Sequence, residues 1–149
     1  PLSEEVLTDL APLAEHKDIV LNCSGGALII GSDTLLYRLV FNLVENAIRY
    51  SRPGSTVNVS ICDNDSHVFL RVEDQGPGIP KQYHESIFQP FFRLDKSRSR
   101  AYGGAGLGLA LVWEIAALHG GAVEVEASSE NGTTMLVSIP KRSAALTDQ

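Results

Sequence analysis

The sequence predicts an α+β fold: a two-layer α/β sandwich in which one mixed, mostly antiparallel sheet carries helices on a single face. Three observations predict it. Alternating apolar runs at Thr56–Cys62 and Val68–Val72 flank a turn. A second alternating pair follows, Val123 and Val125 with Met135, Val137 and Ile139. Between and before these pairs, apolar residues recur at three- and four-residue steps, the period of a helix with one buried side. No segment repeats.

The elements follow in order. The chain opens at Pro1-Leu2 already inside a helical pattern and reads as a piece of a longer protein. Ser3 is the expected cap of a helix to His16, with Leu7, Leu10, Leu13 and Ala14 on one side. Ile19–Cys23 and Ala27–Ile30, joined by Ser24-Gly25-Gly26, read as a hairpin. Asp33 is the expected N-cap of the central helix, which Ser51-Arg52-Pro53-Gly54 ends. Its stripe is Leu36, Leu39, Val40, Leu43, Val44 and Ala47; Arg38, Asn42, Glu45, Asn46 and Arg49 fall opposite. The turn Asp63-Asn64-Asp65-Ser66 joins the first two alternating strands into a hairpin. A loop at 74–80 precedes a short helical piece, Gln82–Phe88, and Gln89–Gly104 reads as a mobile, basic loop. Leu107–Leu118 is apolar nearly all round, which predicts a buried helix, stopped by His119-Gly120-Gly121. The last strand pair turns around Ser128–Gly132. Residues 1–140 make one domain, and 141–149 a flexible C-terminal tail.

A chain of 149 residues, 44% hydrophobic and 20% charged, is one globular domain with a real core. Its net charge of −6 disfavours nucleic acid as a partner. An anionic ligand then needs local compensation from backbone N–H groups, basic side chains or a metal. Cys23 and Cys62 lack metal-ligand spacing and read as two reduced, packed thiols. His16, His67, His84 and His119 are too scattered for a zinc site. No apolar run is long enough to span a bilayer, and no signal peptide is evident.

Five stretches carry candidate chemistry. Asn42 and Asn46 stand one helical turn apart beside Glu45 and Arg49, although Asn is a poor helix former. Two amides on a rigid backbone suit a hydrated Mg²⁺ bearing phosphate oxygens; a wet polar helix face would look the same in isolation. Asp74-Gln75-Gly76-Pro77-Gly78-Ile79-Pro80 follows a strand. Its carboxylate can accept from an exocyclic amine, its glycines let backbone approach a flat ring, and Ile79 supplies apolar contact; an ordinary glycine-proline turn has the same spelling. Gly103-Gly104-Ala105-Gly106-Leu107-Gly108-Leu109 opens a helix, which makes it either a phosphate cradle or a hinge with close helix packing. It fits neither the dinucleotide fingerprint nor the GxxxxGK[ST] loop. Asn131-Gly132-Thr133-Thr134 reads as a hairpin turn. Ile87-Phe88-Gln89-Pro90-Phe91-Phe92-Arg93 anchors a core or docks a mobile segment, and Arg93, Lys96, Arg98 and Arg100 can close over a triphosphate.

In this order, NLVENAIRYS, DQGPGIP, IFQPFFR, GGAGLGLAL and NGTT resemble the N, G1, F, G2 and G3 boxes of the catalytic ATP-binding domain of bacterial sensor histidine kinases. That family belongs to the wider ATPase group shared with gyrase B and the Hsp90 chaperones. The resemblance runs from about Leu2 to Pro140. It implies a Bergerat-type ATP-binding fold with ATP and Mg²⁺ as cofactors. Asn42 and Asn46 would meet Mg²⁺ and phosphates, and Arg49 would contact phosphate where the family often has Lys. Tyr50, Asp74, Gly76, Gly78 and Ile79 would form the adenine side, backed by Thr133 or Thr134. Gly104, Gly106, Leu107 and Gly108 would wrap the phosphates, and Arg93, with Asn42, would serve phosphoryl transfer.

Hydrolytic members of the group place a water-activating glutamate where this chain has Asn42. An amide cannot deprotonate water, so the resemblance implies transfer to a protein histidine rather than hydrolysis. That histidine would lie on a separate dimerisation domain, since none of the four here sits in a suitable helix; His84-Glu85 reads as structural. The implied partners are that phosphoacceptor domain and a cognate response regulator, and the implied parent is a homodimer in the bacterial inner membrane with this domain in the cytoplasm. The alternatives are an ATP hydrolase of the same fold and a nucleotide-sensing module without chemistry.

Overall fold

The computed structural model describes residues 2–27, 31–90, 92 and 108–141. Its elements run α1 (Leu2–His16), β1 (Val20–Gly25), α2 (Asp33–Tyr50), β2 (Thr56–Asp63) and β3 (His67–Glu73). Two 3-10 turns, Lys81–Tyr83 and Ser86–Phe88, lead on to α3 (Gly108–Leu118), β4 (Ala122–Ser129) and β5 (Gly132–Pro140). The strands form one sheet ordered β1-β2-β3-β5-β4. β1 and β2 are parallel, and the other three pairings are antiparallel. The expected two-layer, mixed, mostly antiparallel architecture is what forms.

α2 packs against both α1 and α3. Its Leu39, Leu43, Val44 and Ile48 are buried with Val6 and Leu10 of α1 and with Val112 and Ile115 of α3. Alternate residues of the central strands, Val57, Val59, Leu70, Val72, Met135 and Val137, complete this core. Each such side chain contributes about 1.5–3 kcal/mol on burial. The opposite sheet face is polar: Asn22 donates to Asn58, Asn58 to Glu73, and Arg71 forks onto Glu126. Lys17 Nζ donates to the carbonyls of Ile48 and Arg49, so a cation holds the C-terminal end of α2.

Several local expectations change. Ser3 lies inside α1, buried, because the helix already includes Leu2. Ser32, not Asp33, caps α2: its Oγ accepts the Leu35 N–H, and Asp33 becomes the first helical residue, where its charge suits the helix dipole. β1 makes no described hairpin; it pairs in parallel with β2 across the α2 crossover, which gives the apolar stripe of α2 a sheet to lie on. Residues 28–30 lie outside the described residues, as does most of Gln89–Gly104. The piece Gln82–Phe88 is two 3-10 turns rather than one helix. α3 buries one side only: Trp113 is 50% exposed and Leu118 53% exposed. Its apolar composition therefore does not mean envelopment. Cys23 and Cys62 are free, as expected, but exposed rather than packed: Cys23 lies on the edge strand β1, which is exposed along nearly all its length, and Cys62 near the end of β2.

Candidate functional site

β3 delivers Asp74 to the point where its strand ends, and β5 delivers Thr133 beside it. The Asp74 N–H donates to the Thr133 carbonyl at 2.9 Å, and the Thr133 N–H donates to Asp74 Oδ1 at 3.0 Å. Gly76 N–H donates to the same oxygen at 3.0 Å. Among the described residues, Asp74 Oδ2 receives no bond. Burial pushes this carboxyl above the usual carboxylate range, against the pull of the two backbone donors. The result is a buried acceptor with one oxygen held and one to offer.

The glycines around it answer to close backbone approach. A Cβ on Gly76 would stand 2.3 Å from the Tyr50 carbonyl oxygen. Gly78 has φ +85°, and a Cβ there would stand 2.1 Å from the Ser129 carbonyl oxygen. No L side chain fits either position without moving the loop. Ile79 is half-buried against the core, and its N–H donates to Ser128 Oγ at 2.7 Å. His84 Nε2 reaches the Ile79 carbonyl at 2.8 Å, a structural bond, as expected for this histidine. Of the pair Thr133 and Thr134, Thr133 is the one joined to Asp74. Thr134 alternates with it along β5 and belongs to the other sheet face.

The asparagine side lies on α2. Asn42 Nδ2 is buried and without a hydrogen-bond partner among the described residues. Such an orphan is uncommon in a folded protein. Turning the amide by 180° exchanges nitrogen for oxygen, so the position can present a donor or an acceptor. Gly108, which opens α3, faces it: a Cβ there would lie 3.7 Å from Asn42 Oδ1. A neutral amide with an unmade hydrogen bond, beside the glycine-led start of α3, suits a phosphate oxygen through Nδ2 or, turned over, a phosphate-bound cation through its oxygen. Asn46 is half-buried one turn on. Arg49 ion-pairs with Glu45 at 3.6 Å within the helix. Tyr50 is 44% exposed, its carbonyl against Gly76. Arg93, Gly104, Gly106 and Leu107 lie outside the described residues.

Sequence reasoning missed three groups here. Ser51 Oγ accepts the Gln75 N–H, and Arg52 donates to the carbonyls of Gln75 and Glu130, so the end of α2 fastens both loops of the site. Ser128 bonds Ile79 and Thr133. The serine–arginine pair was legible only as a helix terminator. A groove of about 460 Å³ between α1 and α2, lined by residues including Leu2, Tyr37 and Phe41, holds none of the predicted site residues.

Residues 31–143 match the family described as histidine kinase-, DNA gyrase B- and HSP90-like ATPases. The chain is 41% identical over 123 residues to the sensor-like histidine kinase SenX3 of Mycolicibacterium smegmatis, covering 83% of this chain and 32% of that protein. It therefore spans about a third of that curated relative. Among solved structures it resembles the mycobacterial sensor histidine kinase MprB, with a TM-score of 0.84, 34% identity and 95% of each chain covered. It also resembles full-length ShkA in complex with AMPPNP, with a TM-score of 0.82 and 28% identity, over 97% of this chain and 30% of that one. Among the described residues no helix is long and apolar enough to cross a membrane.

Proposed function

This chain belongs to the family of histidine kinase-, DNA gyrase B- and HSP90-like ATPases, and on that premise we propose that it is the ATP-binding catalytic domain of a sensor histidine kinase. In this reading it donates the γ-phosphoryl group of ATP to a histidine on a separate dimerisation domain, from which a response regulator takes it. The parent is a homodimer in the inner membrane with this domain, residues 1–140, on the cytoplasmic side and 141–149 as a tail.

One observation carries the reading: Asp74, buried, with Oδ1 held by two backbone N–H groups and Oδ2 unclaimed among the described residues. A fixed carboxylate acceptor flanked by glycine backbone suits the amino group of adenine. Ile79 and Thr133 line that side. Asn42 and Asn46 would hold Mg²⁺ and phosphate oxygens; bound Mg²⁺ supplies charge neutralisation between the phosphates. Gly104, Gly106, Leu107 and Gly108 would cradle the phosphates, with Arg49 contacting phosphate while still paired to Glu45 and Arg93 acting at transfer. Tyr50 would border the base.

Two features favour transfer over hydrolysis. Asn42 has no basic lone pair with which to take a proton from water. Glu45, the nearest carboxylate on α2, is engaged by Arg49. The test mixes this chain with the dimerisation domain of its own parent and γ-labelled ATP. Phosphohistidine on the partner, with negligible phosphate release by this chain alone, is expected. ATP turnover by the isolated chain that Glu45→Ala abolishes would instead establish a hydrolase. Silent calorimetry with ATP and Mg²⁺ would remove the nucleotide reading altogether.

A further inference from the structure

We propose that Lys17 is a positioning residue for the nucleotide site: it occupies the last carbonyls of α2 and so leaves the Arg52 N–H to hold the loop that follows β3. The inference rests on the nucleotide-binding reading above and adds a group outside the motifs that reading uses.

A helix leaves its last four carbonyls without intrahelical donors. At the end of α2 the Ser51 N–H still reaches the Ala47 carbonyl, at 3.0 Å. The next donor, the Arg52 N–H, would continue the pattern to Ile48. It turns instead to the Gln75 carbonyl, at 3.3 Å. The donor after that does not exist, because residue 53 is Pro. The chain thus leaves over the carbonyls of Ile48 and Arg49, and these are the two that Lys17 Nζ meets, at 3.1 and 2.5 Å. A cation there suits the negative end of the helix. Burial pushes the Lys17 ammonium below the usual lysine range, so desolvation opposes the charge that the carbonyls hold.

Lys17 is itself held in place. α1 ends in a Schellman turn: the Ile19 N–H bonds the Ala14 carbonyl, the Asp18 N–H that of Glu15, and Asp18 has φ +60°. The Gly54 N–H then bonds the Asp18 carbonyl, and the Val20 N–H that of Ser55. The ammonium therefore stands on a turn stitched to the α2–β2 connection.

The diverted N–H matters to the site because Gln75 directly follows Asp74. The Gln75 N–H donates to Ser51 Oγ at 3.2 Å, and Gln75 Oε1 accepts the Thr56 N–H at 2.7 Å. The Gln75 carbonyl accepts from both the N–H and the guanidinium of Arg52. Gly76 comes next, its backbone against the Tyr50 carbonyl. The end of α2 is thus the surface on which the loop of Asp74 rests. Without the ammonium, the Ile48 carbonyl competes for the Arg52 N–H, the helix draws Ser51 in, and Gln75 loses its main-chain tie.

The experiment measures ADP binding by calorimetry on this chain, each variant being held well below its thermal midpoint. Lys17→Met keeps the apolar stem and loses the ammonium. Tyr37→Phe is the control: it removes a different α1–α2 bond, from the Tyr37 hydroxyl to Asp9. Lys17→Met is expected to bind ADP about three- to tenfold more weakly, one lost hydrogen bond at the loop. Lys17→Arg, whose guanidinium can serve both carbonyls, should return to within about twofold of wild type, and Tyr37→Phe should bind as wild type does. Full affinity in folded Lys17→Met, or an equal loss in Lys17→Arg or Tyr37→Phe, makes Lys17 an ordinary helix cap and overturns the inference. If Lys17→Met does not fold, wild type decides through the rate at which an acetyl ester of N-hydroxysuccinimide acetylates Lys17, read by mass spectrometry against Lys141. Linkage is reciprocal, so saturating ADP should slow Lys17 about three- to tenfold, and an unchanged rate overturns the inference. These outcomes leave the nucleotide site standing, whereas failure of wild type to bind ADP at all would remove the site and the inference together.

Discussion

Thr133 and Asp74 are joined by two hydrogen bonds: the Asp74 N–H donates to the Thr133 carbonyl at 2.9 Å, and the Thr133 N–H donates to Asp74 Oδ1 at 3.0 Å. The last strand thus holds the carboxylate that the third strand delivers. Because that carboxylate is buried, its ionised form is tolerated for what it binds rather than for stability.

Asp74→Asn tests this. An Asn oxygen can still accept from Gly76 and Thr133, while the buried charge disappears. Its unfolding midpoint at neutral pH is expected at or above that of wild type, with ADP affinity down about tenfold or more, as for a lost hydrogen bond to a charged group. The pH dependence follows from the raised carboxyl pKa. In the window between the ordinary carboxylate value and the raised folded value, the native state binds more protons than the unfolded chain. Wild type should therefore gain stability relative to Asp74→Asn as pH falls through that window and lose it again as pH rises. Denaturation of both proteins across that range checks the sign, and a difference moving the other way would contradict the burial argument. Arg93→Ala, aimed at transfer, should weaken ADP less than Asp74→Asn does.

Gly78→Ala asks whether the loop is held where the site needs it. At φ +85° an alanine is strained by about 1–2 kcal/mol, and its Cβ would overlap the Ser129 carbonyl. A lower denaturation midpoint together with lost ADP binding is expected. Wild-type affinity in this variant would mean that the loop need not rest on β4 for binding.

What the sequence could disclose follows from range. Periodicity and turn chemistry are local, so α2, the β2–β3 hairpin and the helix stop at Gly120 were legible from their own residues. At that stop, Gly121 N–H bonds the Ala116 carbonyl and Gly120 N–H that of Ala117. Asp74, Gly76 and Gly78 were legible as a tight glycine turn after a strand, while their assignment to a base pocket came only with the resemblance of the five motifs in order. The insertion of β5 between β3 and β4 was not, since no local pattern names a distant partner. Ser128 was invisible because a one-residue bulge between Val125 and Ala127 reverses the face that alternation assigns. The exposure of Trp113 was hidden because composition shows apolar character but not what covers it. Ser32 outranked Asp33 as cap by a single residue of register, below what a pattern resolves.

His119 joins the two helices that carry the asparagines and the glycine-led start. It is fully buried; its Nδ1 bonds the Ile115 carbonyl at 2.9 Å, and its Nε2 accepts the Ser32 N–H at 3.2 Å. His119→Phe keeps the ring and removes both nitrogens, leaving the Ser32 donor without a partner. A loss of about 1–3 kcal/mol is expected in denaturant unfolding with an unchanged m-value. Gly31→Ala should also destabilise, since its Cβ would come 2.7 Å from His119 Cδ2. A neutral His119→Phe would mean that water replaces the bond.

Two arginines separate a surface pair from a site brace. Arg71 forks onto Glu126 at 2.8 and 2.9 Å on the exposed sheet face, with both side chains about one-third exposed. Arg71→Ala should cost at most about 1 kcal/mol, fall further with added salt, and leave ADP affinity unchanged. Arg52 makes no ion pair with a described carboxylate, yet its guanidinium donates to the carbonyls of Gln75 and Glu130. It thereby ties the loop after β3 to the β4–β5 turn. Arg52→Ala should change stability as little as Arg71→Ala does, but weaken ADP about threefold or more, because both sides of the base pocket lose their common fastening. Calorimetry on the two variants decides: equal losses of affinity would show that Arg52 is one more solvated surface charge.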